Sequence, residues 1–129
     1  MTDAPKKYAT LLVGKRVLVV EDEFLIALDI ERILESAGAK NIVVVNRVAE
    51  ALAALGRQQF DVAVLDFKLD HGDVLPAAEK LSASEVRFIF LTGAPAEVQQ
   101  AQRMRNVPVV AKPFDSATLL AAMSKAMER

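Results

Sequence analysis

Large apolar residues, many of them β-branched, cluster in five short runs along the chain. The runs are Val17–Val20, Ile42–Val45, Val62–Leu65, Phe88–Leu91 and Val109–Ala111. They are nearly continuous rather than alternating, which is typical of strands buried on both faces of a parallel sheet. The pattern therefore predicts five buried strands.

Between these runs, apolar residues recur at the spacing of a helix. The clearest stripe is Ile26, Ile30, Ile33 and Leu34, which ends at Gly38, a residue type that often follows the last helical turn. Weaker stripes predict helices at Val48–Leu55, Pro76–Leu81, Pro95–Met104 and Ser116–Met127. Strand and helix thus alternate five times, which predicts a doubly wound α/β fold with right-handed crossovers.

The length of 129 residues is close to that of one ordinary domain. We place an N-terminal leader at 1–14 and a single domain at 15–129, with no output module. The leader lacks a signal-peptide core, and no segment reaches the ~18 apolar residues of a membrane span. We therefore expect a cytoplasmic protein without a membrane partner.

Charge and cysteine content exclude some classes of partner and of metal site. The chain has 16 basic and 17 acidic residues, for a net charge of −1, so it has no basic field to hold nucleic acid. It has no cysteine, which excludes disulfides and thiolate metal sites.

Polar residues follow four of the five runs. Glu21 and Asp22 follow the first, Asp66 the third, Thr92 the fourth and Lys112 the fifth. Ligands of doubly wound sheets bind at the carboxyl ends of the strands, so we expect these side chains to converge. Three carboxylates without histidine or cysteine form the all-oxygen site that Mg²⁺ prefers. Asp66 could then attack phosphorus as a nucleophile, with Lys112 and Thr92 stabilising the transferred oxygens.

Four motifs together resemble the signature of response-regulator receiver domains. They are Val-Val-Glu21-Asp22-Glu, Val-Leu-Asp66-Phe-Lys-Leu, Leu-Thr92-Gly and Ala-Lys112-Pro113-Phe114. The likeness runs from about Arg16 to the C-terminus. It implies a CheY-like (βα)5 fold, which is a flavodoxin-like five-stranded parallel sheet between two helix layers.

The resemblance also implies a role for each residue of the metal site. Asp66 would be the phosphoacceptor, Asp22 a direct Mg²⁺ ligand, Glu21 a ligand through water, and the backbone carbonyl of Lys68 a further ligand. Thr92 would bond a phosphoryl oxygen.

The resemblance extends to the last motif, but with one departure from the family. Lys112 would pair with the phosphoryl group, and the Lys112–Pro113 bond would be cis. Val109 stands where the family usually has an aromatic switch residue. The segment Phe88-Ile-Phe90-Leu-Thr92-Gly93 is similar to that of an atypical subgroup with a Phe-Ala-Thr-Gly motif.

A partner surface is indicated by apolar residues of the first helix that lie off its core stripe. Phe24, Leu25 and Leu28, with Pro113 and Phe114, are interpreted as a docking patch for a histidine kinase or histidine phosphotransfer protein. Packing of the three helix residues on the leader, or in a weak homodimer, is the alternative.

Simpler interpretations of the site residues remain open at this point. Glu21 and Asp22 could cap the first helix, and Asp66 and Thr92 could be turn residues. The leading hypothesis is a single-domain phosphoacceptor that signals to a downstream protein, shuttles phosphate or drains it. The alternatives are a small Mg²⁺-dependent aspartyl phosphatase, although Lys68 stands where those enzymes have a second acid, and a phosphorylation-independent interaction module.

Overall fold

The computed structural model describes residues 3–69, 72–96 and 106–128. The strands in these ranges are β1 (Arg16–Val20), β2 (Asn41–Val45), β3 (Val62–Asp66), β4 (Lys68–Leu69), β5 (Gly72–Asp73), β6 (Arg87–Thr92) and β7 (Val109–Ala111). The α-helices whose two ends lie within these ranges are α1 (Phe24–Ser36), α2 (Val48–Arg57), α3 (Leu75–Ala83) and α4 (Ser116–Met127). No helix in the described part of the chain is long and apolar enough to cross a membrane.

Five of the strands form one sheet in the order β2-β1-β3-β6-β7, and every neighbouring pair is parallel. The chain winds outward from β1 to β2 on one side and from β3 through β6 to β7 on the other. The direction of winding therefore reverses between β1 and β3, which is where such sheets bind ligands. The prediction of a doubly wound, flavodoxin-like α/β fold is confirmed.

The prediction that all five strands are buried on both faces is right for the centre of the sheet and wrong for its edges. Nearly all residues of β1, β3 and β6 are buried. In β2, by contrast, Asn41 and Val44 are exposed and the other residues are half-buried. Of the three residues of β7, only Val110 is buried. An edge strand has a neighbour on one side alone, so its outer flank stays open to solvent.

Alternate residues of the central strands supply two separate cores. Val17 and Val19 of β1 pack with α1 and α4 on one face of the sheet. Leu18 and Val20 pack with α2 and α3 on the other face. Each central strand contributes side chains to both cores, and this is why its apolar run is continuous rather than alternating.

The helix predictions are confirmed for four of the five segments. The bounds of α4 agree with the prediction, and α1 begins two residues before the Ile26 stripe. The segment predicted as a helix at Pro95–Met104 lies mostly outside the described residues. The short hairpin of β4 and β5 was not predicted, because two-residue strands carry no periodic signal.

The N-terminal segment packs on the domain. Leu12 is fully buried in the core between α1 and α4, and its amide donates to the carbonyl of Ala37 at the end of α1 (2.9 Å). A side chain at Gly38, whose φ is +96°, would collide with Val13. At the other end of the segment, the Ser116 hydroxyl donates to the Asp3 carbonyl (2.9 Å).

Replacing Leu12 with alanine tests this packing. We expect Leu12→Ala to lower the free energy of unfolding by about 2–5 kcal/mol, because it removes a fully buried side chain from the core. Val13→Ala is the matched control, since 59% of Val13 is exposed, and it should change stability little. Urea unfolding of both variants measures the difference, and equal stabilities would contradict the described packing.

Candidate functional site

Three carboxylates meet at the carboxyl ends of β1 and β3. Asp66 ends β3, and Glu21 follows β1 in the adjacent position of the sheet. One carboxylate oxygen from each of Glu21, Asp22 and Asp66 lies within 4.8 Å of the other two. Glu21 and Asp66 are buried, whereas Asp22 is half-buried.

The side chain of Lys112 reaches into this cluster from the end of β7. Its Nζ lies 3.1 Å from Glu21 Oε1 and 3.3 Å from Asp66 Oδ2. The lysine is held in register with the neighbouring strand because its amide donates to the carbonyl of Thr92 (2.8 Å). The Lys112–Pro113 peptide bond is cis, as the resemblance implied.

The cluster carries more negative charge than one ammonium group neutralises. Burial, reinforced by the nearby charge of Asp66, raises the pKa of Glu21 to about 7. Burial alone would lower the pKa of Lys112, but the two carboxylates beside it outweigh that effect and hold this pKa above its usual value. The Glu21 shift thus follows mainly from burial, and the Lys112 shift from the opposite charges beside it.

The oxygens of Glu21 show that the cluster fits a metal ion. Oε2 accepts a hydrogen bond from the Glu23 amide (3.1 Å). Oε1 is buried and has no hydrogen-bond partner within the described ranges, although the Lys112 ammonium lies beside it. A divalent cation would satisfy such an oxygen, and an all-carboxylate set is the kind that Mg²⁺ prefers. Glu21, Asp22 and Asp66 are therefore the residues that could hold it.

Thr92 ends β6, the strand that pairs with β3, and its side chain is buried. Its Oγ1 accepts a hydrogen bond from the Ala94 amide (3.0 Å), and Asp66 Oδ1 accepts one from the Lys68 amide (3.2 Å). Both residues thus make the local turns that the simpler interpretation proposed. These turns lie at the carboxyl ends of the strands, on the side of the sheet that holds the acidic cluster. The Lys68 carbonyl as a metal ligand stays a prediction.

The helix-capping interpretation is not supported for Glu21. The residue at the N-cap of α1 is Glu23, and its side chain makes no capping hydrogen bond. Glu21 instead bonds the amide of Glu23, which precedes the first helical turn, and directs its other oxygen toward Lys112.

The residues of the predicted docking patch differ in exposure. Phe24 and Leu25 are 76% and 74% exposed in the first turn of α1, so they do not pack on the described part of the N-terminal segment. Pro113 is also exposed, whereas Leu28 and Phe114 are half-buried and Phe114 packs against the core.

An aromatic cluster beneath the site was not predicted. Phe67, directly after Asp66, meets Phe90 edge-to-face with ring centroids 5.2 Å apart, and Phe90 meets Phe88 in the same way at 5.6 Å. Val109, at the usual aromatic switch position, is half-buried against the core that contains Phe88 and Phe90. The alternation of phenylalanines in β6 was the available signal for this cluster.

Residues 17–124 match the family model of the response regulator receiver domain. This chain belongs to the response regulator receiver family. The resemblance inferred from its motifs is thereby confirmed, and receiver domains are signalling domains rather than typical enzymes.

Several relatives are similar over most of this chain. PdtaR, a transcriptional regulatory protein of Mycobacterium tuberculosis, is 27% identical over 97% of the chain, and the regulator PhyR of Methylorubrum extorquens is 32% identical over 86%. The chain spans only 62% and 43% of the lengths of these two proteins.

Solved structures give a similar result. The solution structure of SdrG from Sphingomonas melonis Fr1 is 35% identical, with a TM-score of 0.72 over 88% of this chain and 93% of that one. The BeF3-activated conformation of SdrG from Pseudomonas melonis Fr1 is 36% identical, with a TM-score of 0.74 over 87% of this chain and 95% of that one.

The clustering of like charges predicts an effect on stability. In the absence of divalent cations, Asp66→Asn should raise the free energy of unfolding by about 1 kcal/mol, because it removes a buried charge that repels its two acidic neighbours. Urea unfolding in a chelator measures this difference. Asp73→Asn, a change at an exposed acid of the adjacent hairpin, should not raise stability. A destabilised Asp66→Asn would show that the cluster is not repulsive.

Proposed function

We propose that this chain accepts a phosphoryl group on Asp66 from a histidine kinase or a histidine phosphotransfer protein, in a reaction that needs Mg²⁺. The proposal depends on the groups that surround the Asp66 carboxylate. It lies 3.3 Å from the Lys112 ammonium and shares with Glu21 and Asp22 a cluster of metal-binding geometry. The phosphorylated chain then signals by protein contact, or passes the phosphoryl group on as a shuttle or sink.

The reaction exchanges one bond to phosphorus for another. An oxygen of Asp66 attacks the phosphorus of a phosphohistidine, the phosphorus–nitrogen bond breaks, and the imidazole leaves with the electron pair. Mg²⁺, when bound, would supply positive charge that stabilises the transferred oxygens. Glu21 and Asp22 would hold that ion, while the Lys112 ammonium and the Thr92 hydroxyl stabilise the oxygens from the other strand ends.

The partner docks, in this proposal, on the patch formed by Phe24, Leu25, Leu28, Pro113 and Phe114. Phe24 and Leu25 are large apolar side chains that are about three-quarters exposed, within a few residues of Glu21 and Asp22. Group transfer needs the two reacting residues to be held close, and this position satisfies that need. Receiver domains act with kinases and phosphotransfer proteins in the cytoplasm, where we place this chain.

The relative SdrG supports the proposal, because its BeF3-activated conformation has been solved. We infer the same kind of activation for this chain. With Val109 at the usual aromatic position, that activation proceeds without the aromatic switch.

Phosphorylation by a small donor is the direct test. With acetyl phosphate and Mg²⁺, the intact mass of the wild-type chain should increase by one phosphoryl group. Asp66→Asn should abolish this increase because it removes the nucleophile, and a chelator should do the same because it removes the ion. Asp73→Asn should be phosphorylated like the wild type.

Two results would contradict the proposal. The first is a phosphoryl group that persists in Asp66→Asn or that forms equally well in the chelator. The second is steady hydrolysis of small phosphoesters without any label on the protein, which would assign a phosphatase instead.

A further inference from the structure

The outer edge of β2 carries backbone groups that no strand satisfies in the described part of the chain. The Glu21 amide donates to the Val45 carbonyl (3.0 Å), so the backbone of Val45 faces β1. β2 pairs with β1 in an unbroken parallel register, and the backbone groups of successive strand residues face opposite sides, so those of Val43 also face β1. The amides and carbonyls of Ile42 and Val44 therefore point outward, where the sheet has no further strand.

The strand also lacks the features that usually keep an edge from pairing. Asn41–Val45 contains no charged residue and no proline, and its register with β1 has no bulge. Val44 is an apolar residue that is 38% exposed on this strand. The other edge strand of the sheet, β7, has only three residues, and short edge strands are themselves protected from pairing. β2 is therefore the edge of this sheet that is suited to accept another strand.

Two exposed residues of opposite charge flank β2. Lys40 directly precedes the strand. Glu50 lies at its other end, where Oε1 accepts a long hydrogen bond from the Asn46 amide (3.4 Å). The carbonyl of Val45 faces β1, and the N–H of a trans peptide unit points opposite to its carbonyl, so the Asn46 amide faces outward. The Glu50 carboxylate that meets this amide therefore lies at the outer edge of the sheet.

We propose that two copies of this chain pair through β2 as an antiparallel, two-fold symmetric dimer, which joins their sheets into one. The outward-facing groups set the register. Ile42 of one copy lies opposite Val44 of the other and exchanges both backbone hydrogen bonds with it, while the two Val43 residues meet at the axis. The exposed Val44 side chain is covered by Ile42 of the other copy, an apolar cross-strand pair.

The charges at the strand ends favour a second copy as the occupant of this edge. In the same register, Lys40 of one copy lies opposite Asn46 of the other, beside the Glu50 carboxylate. The two-fold axis repeats this ion pair at the other end of the strand. A parallel copy in register would instead place Lys40 beside Lys40. Opposite charges thus meet at both ends in the antiparallel arrangement, and they select it.

The dimer is weak and independent of phosphorylation. We expect a pair of five-residue strands with their flanking side chains to bury less than the ~1,200 Å² at which stable interfaces begin. Because the strands run antiparallel, the two acidic clusters lie at opposite ends of the joined sheet. Association therefore needs neither a metal ion nor a phosphoryl group, and the inference does not rest on the proposed function.

Sedimentation of the full chain from micromolar to millimolar concentration tests the inference. The wild type should pass from monomer to dimer without larger species, because self-pairing consumes the β2 edge. Val44→Lys, which places a charge on the edge strand, should raise the Kd of the dimer by about tenfold or more. Hydrogen exchange of the Ile42 and Val44 amides should be slower in the dimer than in the monomer, since both amides become bonded.

Exchange of the charges is the sharpest test. Lys40→Glu and Glu50→Lys should each raise the Kd by about tenfold, because each places like charges together at both ends of the strand pair. An equimolar mixture of these two variants, and the double variant, should return to within about threefold of the wild-type Kd, because opposite charges meet again.

Lys125→Glu is the matched control for Lys40→Glu. It makes the same charge change at an exposed position of α4, a helix that packs on β6 and β7 rather than on β2. Its Kd should stay within about twofold of the wild-type value. Urea unfolding at concentrations where the wild type is monomeric should give equal stabilities for this control and for the two single charge variants, since all three positions are exposed.

Several results would overturn the inference. One is a wild-type chain that stays monomeric at millimolar concentration, and another is a series of species larger than a dimer. A dimer that survives both single charge reversals, or a mixture of the two variants that fails to recover association, would exclude the antiparallel register. Equal weakening by Lys125→Glu and Lys40→Glu would remove β2 as the interface.

Discussion

The mutual repulsion of three carboxylates at the end of β1 and β3 is the constraint on which the site depends. Glu21 and Asp66 are buried, Asp22 adjoins them, and the Lys112 ammonium is shared between two of the acids. Burial, with the charge of Asp66 beside it, raises the pKa of Glu21 to about 7. A fold would not keep such an arrangement for stability, because burying like charges is costly. The cluster is explained if it first binds a divalent cation and Asp66 then accepts a phosphoryl group.

The parallel arrangement of the strands brings these groups together. The carboxyl ends of parallel strands lie along the same side of the sheet. Residues at the ends of β3 and β6, and residues just after β1 and β7, therefore become neighbours in space. The continuous apolar runs serve the two helix layers and fix the register of the strands. Register then fixes the site, since Asp66 pairs with Leu91 and Thr92 with Ala111, the residue before the lysine.

Much of this could be predicted from the sequence, because it depends on local patterns. The strand cores, α4, and the convergence of Glu21, Asp22, Asp66 and Lys112 follow from apolar runs and the polar residues that end them. The order of the strands, by contrast, decides that β2 lies at an edge with Val44 exposed, and no pattern within β2 encodes its neighbours. Leu12 illustrates the same limit, because the apolar run Leu11-Leu12-Val13 can be expected to pack on the fold but does not indicate that Leu12 fills a core gap between two distant helices. The pairing of Phe67 with Phe90 also depends on tertiary packing.

The departure at Val109 bears on how the chain signals. Valine cannot rotate between inward and outward positions as a large aromatic ring does. The ring of Phe67, directly after Asp66, meets the ring of Phe90 and so connects the segment after Asp66 to the strand that ends in Thr92. In the proposed phosphorylation, a change at Asp66 would therefore have a packed route to β6 that does not pass through position 109.

The central claim, that the acidic cluster binds a divalent cation, is tested most directly by titrating the isotope-labelled chain with Mn²⁺ and recording its backbone amide NMR signals. The account predicts selective paramagnetic broadening of the amides around Glu21 and Asp66 at low metal concentration, reversed by excess Mg²⁺. Broadening centred on another part of the surface, or uniform broadening at high metal concentration alone, would contradict it.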